Sequence, residues 1–308
     1  MVRRASAARR LTGTALLLLL LVTAACSGSG KHPVAGVEVQ GATVQGNALL
    51  GMTPPQVEDL VREVLRRQGQ FTFVDPKSAR VREAKGGEVP VTLAVEVPFT
   101  RESDKADRPG PFAEVGVTLT VRRRVEGLTH RYELTGFAER PIEDAKSAGA
   151  RQAAMREALE AALRDAADAV NVQLRALKAK DAQLVAQLSG EDETAREAAL
   201  TVLTERGHPA AVDALLERLK GDADPERVRR AMGALAELRE ERAVRPLIES
   251  TRGRDAGYVR EVVFALAQIG GDEAMAYVFT VAQGHDDPAV RAAAEQAMGE
   301  LRQRDASR

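Results

Sequence analysis

Two periods of apolar residues divide the chain. From Val37 to about Arg140 the period is two. Val89, Val91, Leu93, Val95, Val97 and Phe99 alternate with Pro90, Thr92, Ala94, Glu96, Pro98 and Thr100, as on a half-buried strand. The two prolines predict an edge or an irregular end there. Val115, Val117, Leu119 and Val121 repeat the alternation, "VEG" turns the chain, and "THRYELTGFAE" returns as a hairpin partner. Upstream, Thr53, Pro54, Pro55 and Gln56 open a helix: Thr caps, Pro occupies the first turn, and Gln closes the box. Val57, Leu60, Val61, Val64 and Leu65 share one face of that helix, which leads into the short strand of "GQFTFVD". The polar segment "RESDKADRPGP" at 101–111 predicts a mobile loop. Near Ala148 the period becomes helical and stays so to about Lys178, with Met155, Leu159, Leu163, Ala166 and Val170 as the stripe. The order strand, helix, strand, strands, helix predicts an α+β domain, one sheet with two helices, over residues 36–180.

Beyond residue 181 the chain repeats itself. Asp192, Asp224, Asp255 and Asp287 are spaced by 32, 31 and 32. Eleven residues after each stands Leu203, Leu235, Leu266 or Met298, preceded by Val202, Ala234, Ala265 or Ala297. The pairs Leu184-Val185, Leu215-Leu216, Leu247-Ile248 and Val278-Phe279 recur in the same register. Each unit reads as two short helices. In the second unit, Asp224 caps and Pro225 fills the first turn of a helix that buries Val228, Ala231, Leu235 and Leu238. A single pair cannot cover its own apolar stripe, so four units predict a stacked α-helical solenoid over 181–308.

Those units carry a specific resemblance. "DPAVRAAAEQAMGEL" at 287–301 and "DPERVRRAMGALAEL" at 224–238 resemble the second-helix signature of HEAT-like repeats of the bilin-lyase type. The unit at 255 lacks the proline, and the unit at 192 has Arg206 where an aliphatic is expected, which marks it as a capping repeat. The resemblance implies an interaction surface. The element order of the first domain, with "RRQGQFTFVD" as a local likeness, loosely resembles envelope α+β domains such as those of the Tol translocation protein and the curli secretion lipoprotein.

The amino terminus bears on location. Arg3, Arg4, Arg9 and Arg10 precede an apolar run from Leu11 to Val22. Twelve helical residues rise about 18 Å, short of a ~30 Å hydrocarbon core, so the run has the layout of an export signal. Thr23, Ala24 and Ala25 then lead to Cys26, the single cysteine. This resembles the bacterial lipobox, with Thr23 where Leu is usual. The resemblance implies cleavage after residue 25, diacylglyceryl transfer to the Cys26 thiol, and a membrane anchor of two or three acyl chains. Residues 26–35, opening with Ser27, Gly28, Ser29 and Gly30, predict a flexible tether. Ser27, in place of the Asp that signals inner-membrane retention in such proteins, implies the outer membrane.

Composition removes several function classes. Lys and Arg total 44 and Asp and Glu 45, a net charge of −1, so no whole-protein field favours nucleic acid. Aromatics are 3% and Trp is absent; the cores must be aliphatic and alanine-rich. His32, His130, His208 and His285 lack zinc-motif spacing, and His285 beside Asp286 and Asp287 is the nearest approach to a metal or catalytic set. No phosphate loop and no GxSxG occurs. No cofactor, metal or small-molecule substrate is expected. What remains is surface. Two residues after the core column stand Glu205, Glu237, Gln268 and Glu300, a polar ladder suited to a basic partner. Two residues before it, Phe264 is the aromatic member among Thr201, Gly233 and Gln296, a candidate partner anchor. The expected function is a non-enzymatic, lipid-anchored scaffold that binds other envelope proteins. The alternatives are an oligomeric component of a secretion or motility machine and, third, a lyase-type enzyme.

Overall fold

The computed structural model describes residues 31–77, 89–105, 108–125 and 127–306. The signal, Cys26 and the tether as far as Gly30 lie outside the described residues. The first strand, β1 (His32–Val39), begins inside the stretch read as tether. The glycine-serine run has ended by then, and Val34 is wholly buried.

Five strands form one sheet in the order β2-β1-β3-β4-β5, with β2 at Phe71–Phe73, β3 at Val91–Lys105, β4 at Arg108–Val125 and β5 at Leu128–Pro141. β1 runs parallel to both β2 and β3, while β3, β4 and β5 form an antiparallel meander. A short helix α1 (Gly41–Gly46) and the longer α2 (Pro54–Gln68) connect β1 to β2. The Thr53 amide donates to Gln56 Oε1 at 2.8 Å, closing the predicted box.

Two expectations change. Most of the segment 101–111 is strand and not loop: β3 runs to Lys105 and β4 begins at Arg108, with Arg101 opposite Glu114 and Ser103 opposite Phe112. Its polar residues alternate as a strand's do and converge on a buried carboxylate. Also, β3 is internal rather than an edge as far as Val95, where β1 still pairs with it. The prolines show elsewhere, since the β3–β4 register shifts between Glu96 and Phe99, around Pro98, where β1 has ended. Side chains from the α1 region take over from the absent strand. Val97 N donates to Thr43 Oγ1, Asn47 Nδ2 donates to Val97 O, and Thr100 N donates to Asn47 Oδ1.

The long helix α3 (Ala148–Ala176) lies across β4 and β5 and against α2. Its whole predicted stripe is buried. Ala158, Ala162 and Ala166 are buried beside that stripe, and small residues allow close approach of backbones. Gly136 of β5 exploits this: a Cβ placed there would lie 2.0 Å from the Ala162 carbonyl oxygen.

Helix pairs follow: α4 (Asp181–Gln187) with α5 (Glu193–Glu205), α6 (Pro209–Gly221) with α7 (Pro225–Glu237), α8 (Val244–Ser250) with α9 (Ala256–Ile269), and α10 (Asp272–Gly284) with α11 (Pro288–Ala306). The four aspartates cap as predicted. Their carboxylates accept from Ala195, Glu226, Tyr258 and Ala289 amides at 3.1, 2.9, 3.0 and 2.7 Å. Leu203, Leu235 and Leu266 are wholly buried in one continuous core that runs from Ala176 to Leu301. α3 belongs to both halves of the molecule. Leu174 packs into the sheet domain's core, Ala176 into the solenoid's, and Leu177 touches both. The helix that closes the sheet is also the cover of the first repeat, whose α5 it contacts.

Candidate functional site

The second helices of the four units present one exposed stripe. Thr201 and Glu205, Gly233 and Glu237, Phe264 and Gln268, and Gln296 and Glu300 are all exposed. Within each helix the two positions are four residues apart, so they sit one above the other on the same face. The structure therefore places Phe264, Glu237 and Gln268 together on one continuous surface, and Phe264 is 37% exposed. Arg229 of α7 pairs with Glu261 of α9 at 3.0 Å, tying neighbouring units beside it.

Glu205 has a different setting. It ends α5, and its carboxylate accepts from the Tyr132 hydroxyl of β5 at 3.0 Å. Burial, then the facing Glu205 charge, raises the Tyr132 phenol well above its ordinary value, so it stays a donor. This member of the ladder is engaged at the junction of the two domains. Arg206, which stands where an aliphatic was expected, is explained by the same junction. Its guanidinium donates to the Ala179 and Leu177 carbonyls at 2.9 and 3.1 Å and to Asp181 Oδ1 at 2.6 Å. A cation suits the exposed carbonyls at a helix end. His32 completes the joint: its Nε2 lies 3.1 Å from Asn171 Oδ1 and its Nδ1 3.3 Å from Lys178 Nζ, with the ring against Phe71.

Sequence reasoning missed two further features. Glu114 of β4 is wholly buried. Lys105 Nζ stands 2.8 Å from it, Ser103 Oγ donates at 2.5 Å, and Arg101 Nε donates at 2.5 Å. Lys105 first, then Ser103, with Arg101 a smaller cause, lower its pKa to about 2 against the cost of burial. Each of these residues was visible in the sequence, but only the strand register brings them to one place.

The second feature is at the far end of the solenoid. A groove of about 330 Å³ runs between α10 and α11, lined by Met275, Ala276, Phe279, Met298 and Leu301, with Asp272 and Arg302 at its mouth. Phe279 is 51% exposed. Its equivalents tell why: Leu216 is buried, and Val185 and Ile248 pack against the core. Each of those three has a following unit to cover it. The repeat columns held this signal, since Phe279 is the last member of its column.

His208 and His285 are capping groups, their Nδ1 atoms accepting from the Ala210 and Asp287 amides at 3.2 and 3.1 Å. Among the described residues no group of side chains is placed to hold a metal ion. Among them, too, no helix is long and apolar enough to cross a membrane.

Residues 181–265 match a family model for HEAT repeats. The solenoid's helix pairs are HEAT-like repeats, and such repeats point to a protein-interaction scaffold. No curated protein matches the chain. Among solved structures, the hypothetical protein CT253 from Chlamydia trachomatis is similar over 46% of this chain and 96% of its own, at 14% identity and a TM-score of 0.33.

Proposed function

We propose that this protein is an exported, lipid-anchored component of the cell envelope that binds other envelope proteins through its HEAT-like solenoid, without catalysing a reaction. One observation carries the binding part: the exposed stripe of the second helices, which continues over α7, α9 and α11 and carries Phe264. A repeating surface of this kind presents many side chains at fixed spacing at little entropic cost. An acyl anchor on Cys26 with its short tether adds a high local concentration of membrane-bound partners. The lipobox likeness supports the anchor, and Ser27 supports the outer membrane.

Two measurements test the proposal. A photo-crosslinking residue at position 264, 268 or 237 in living cells yields discrete protein adducts. Failure at all three positions refutes the binding face. Cys26→Ala moves the protein from the membrane to the soluble periplasmic fraction. Unchanged fractionation, with no labelled palmitate on the wild type, refutes the anchor.

A further inference from the structure

We propose that the open end of the solenoid is a dimer interface, and that its occupant is a second copy of this chain. The inference rests on reading the solenoid as a docking surface, and names the partner for its last face.

The two ends of the solenoid are not alike. The first repeat is covered by α3, which contributes Ala176 to the core and lays Val172 and Leu177 against it. No element follows α11 among the described residues. A solenoid end needs a polar outer face if it is to meet water, and this one has an apolar groove. Its lining comes from the repeat's own columns. Phe279 is equivalent to Val185, Leu216 and Ile248, and Met298 to the wholly buried Leu203, Leu235 and Leu266. The end face is thus built as an internal stacking surface, and no neighbour covers it among the described residues.

The charges at the mouth select the occupant. Asp272 begins α10 and Arg302 lies in the last turns of α11. The two helices are antiparallel, joined through residues 285–287, so both charges stand at the same end of the groove, one on each wall. Now take a two-fold axis along the groove. It lays α10 of one copy over α11 of the other, and the reverse. Each Asp272 then faces the partner's Arg302, and each exposed Phe279 ring meets the partner's groove. Groove, projecting ring, acid and base all lie on one face, as an isologous contact requires.

Light scattering on the full chain in detergent, with detergent mass subtracted, reads the result. The wild type gives twice the protomer mass. Phe279→Glu halves it. Asp272→Arg and Arg302→Asp are each monomeric alone, because like charges face each other. Mixed together they form a heterodimer, in which every facing pair is again opposite. A wild type monomeric throughout its concentration range overturns the proposal. So does a dimer indifferent to Phe279→Glu, or charge variants that stay apart on mixing. A monomer that crosslinks through position 279 to a different protein overturns it as well, in favour of a foreign partner. The crosslinks at position 264 are independent of these masses, so failure here is distinct from failure of the proposed binding face.

Discussion

Gly136→Ala tests how closely α3 is seated on the sheet. The added Cβ would lie 2.0 Å from the Ala162 oxygen, 2.6 Å from the Ala166 nitrogen and 3.0 Å from the Ala166 Cβ. Two of these are backbone atoms of a helix and cannot rotate away. The helix must retreat by about 1 Å, and a gap of that size forfeits a quarter to a half of the dispersion attraction across it. The loss extends to the neighbouring buried residues Ala158, Leu159, Leu163 and Val170, so the cost falls at the upper end of overpacking, about 3 kcal/mol. Gly116→Ala is the control. Its Cβ would lie 2.5 Å from Phe99 Cε1, but that ring is 37% exposed and can swing outward. The control should cost about 1 kcal/mol or less. Urea unfolding followed by far-ultraviolet circular dichroism gives both numbers. If Gly136→Ala costs no more than Gly116→Ala, α3 is not packed against β5 as described.

Three further outcomes are expected. Glu114 titrates from 4.5 unfolded to about 2 folded, so its stabilisation is present above pH 4.5 and lost as pH falls toward 2; thermal melts should drop more steeply through that window for the wild type than for Glu114→Gln, and parallel curves would exclude the carboxylate. Arg239 lies just past α7 at φ 52, where Gly207 stands after α5 at φ 63 with the same backbone hydrogen bonds; Arg239→Gly should stabilise by about 0.5–1 kcal/mol in denaturant titration, and a loss of stability would count against the strain. Asn47→Ala strands the Val97 carbonyl and the Thr100 amide and should cost about 1–3 kcal/mol by the same assay, with a negligible change showing that water replaces the side chain.

What the sequence disclosed was what local chemistry decides. Asp192, Asp224, Asp255 and Asp287 were legible as caps because a cap acts on the amides two or three residues away. The buried stripe of α3 was legible because a helix period needs no partner to be seen. Where long-range pairing decides, the reading fell short. The polar run at 101–111 looks like a loop until Glu114 is placed opposite Arg101, thirteen residues away. Pro98 signalled irregularity correctly, but only the end of β1 says why a proline is tolerated in an otherwise internal strand. Arg206 looked like a defect in a repeat column and is instead the clamp on the end of α3. Of the candidate surface, column arithmetic alone placed Phe264, Glu237 and Gln268 at exposed, equivalent positions. Glu205 obeys the same arithmetic but meets Tyr132, which belongs to the other domain.

The unequal ends of the solenoid have a thermodynamic consequence. In a stacked array each unit is held by its nearest neighbours, so stability is a sum of local terms and an end unit has one neighbour fewer. The first unit escapes this deficit because α3, itself anchored across the sheet, serves as its missing neighbour, with Arg206 and Tyr132 fastening the contact. The last unit has no such cover among the described residues, and Phe279 is exposed where its equivalents are packed. With the described residues as the whole stack, local opening is expected to begin at α10 and α11 and to proceed toward α5. Anything that seats on the terminal groove stabilises the folded form by mass action, and it does so at the unit that opens first. Amide exchange should accordingly be fastest in α10 and α11 at low protein concentration and should slow there, ahead of every other helix, as concentration rises. Uniform protection along the solenoid, independent of concentration, would mean that its ends are energetically alike.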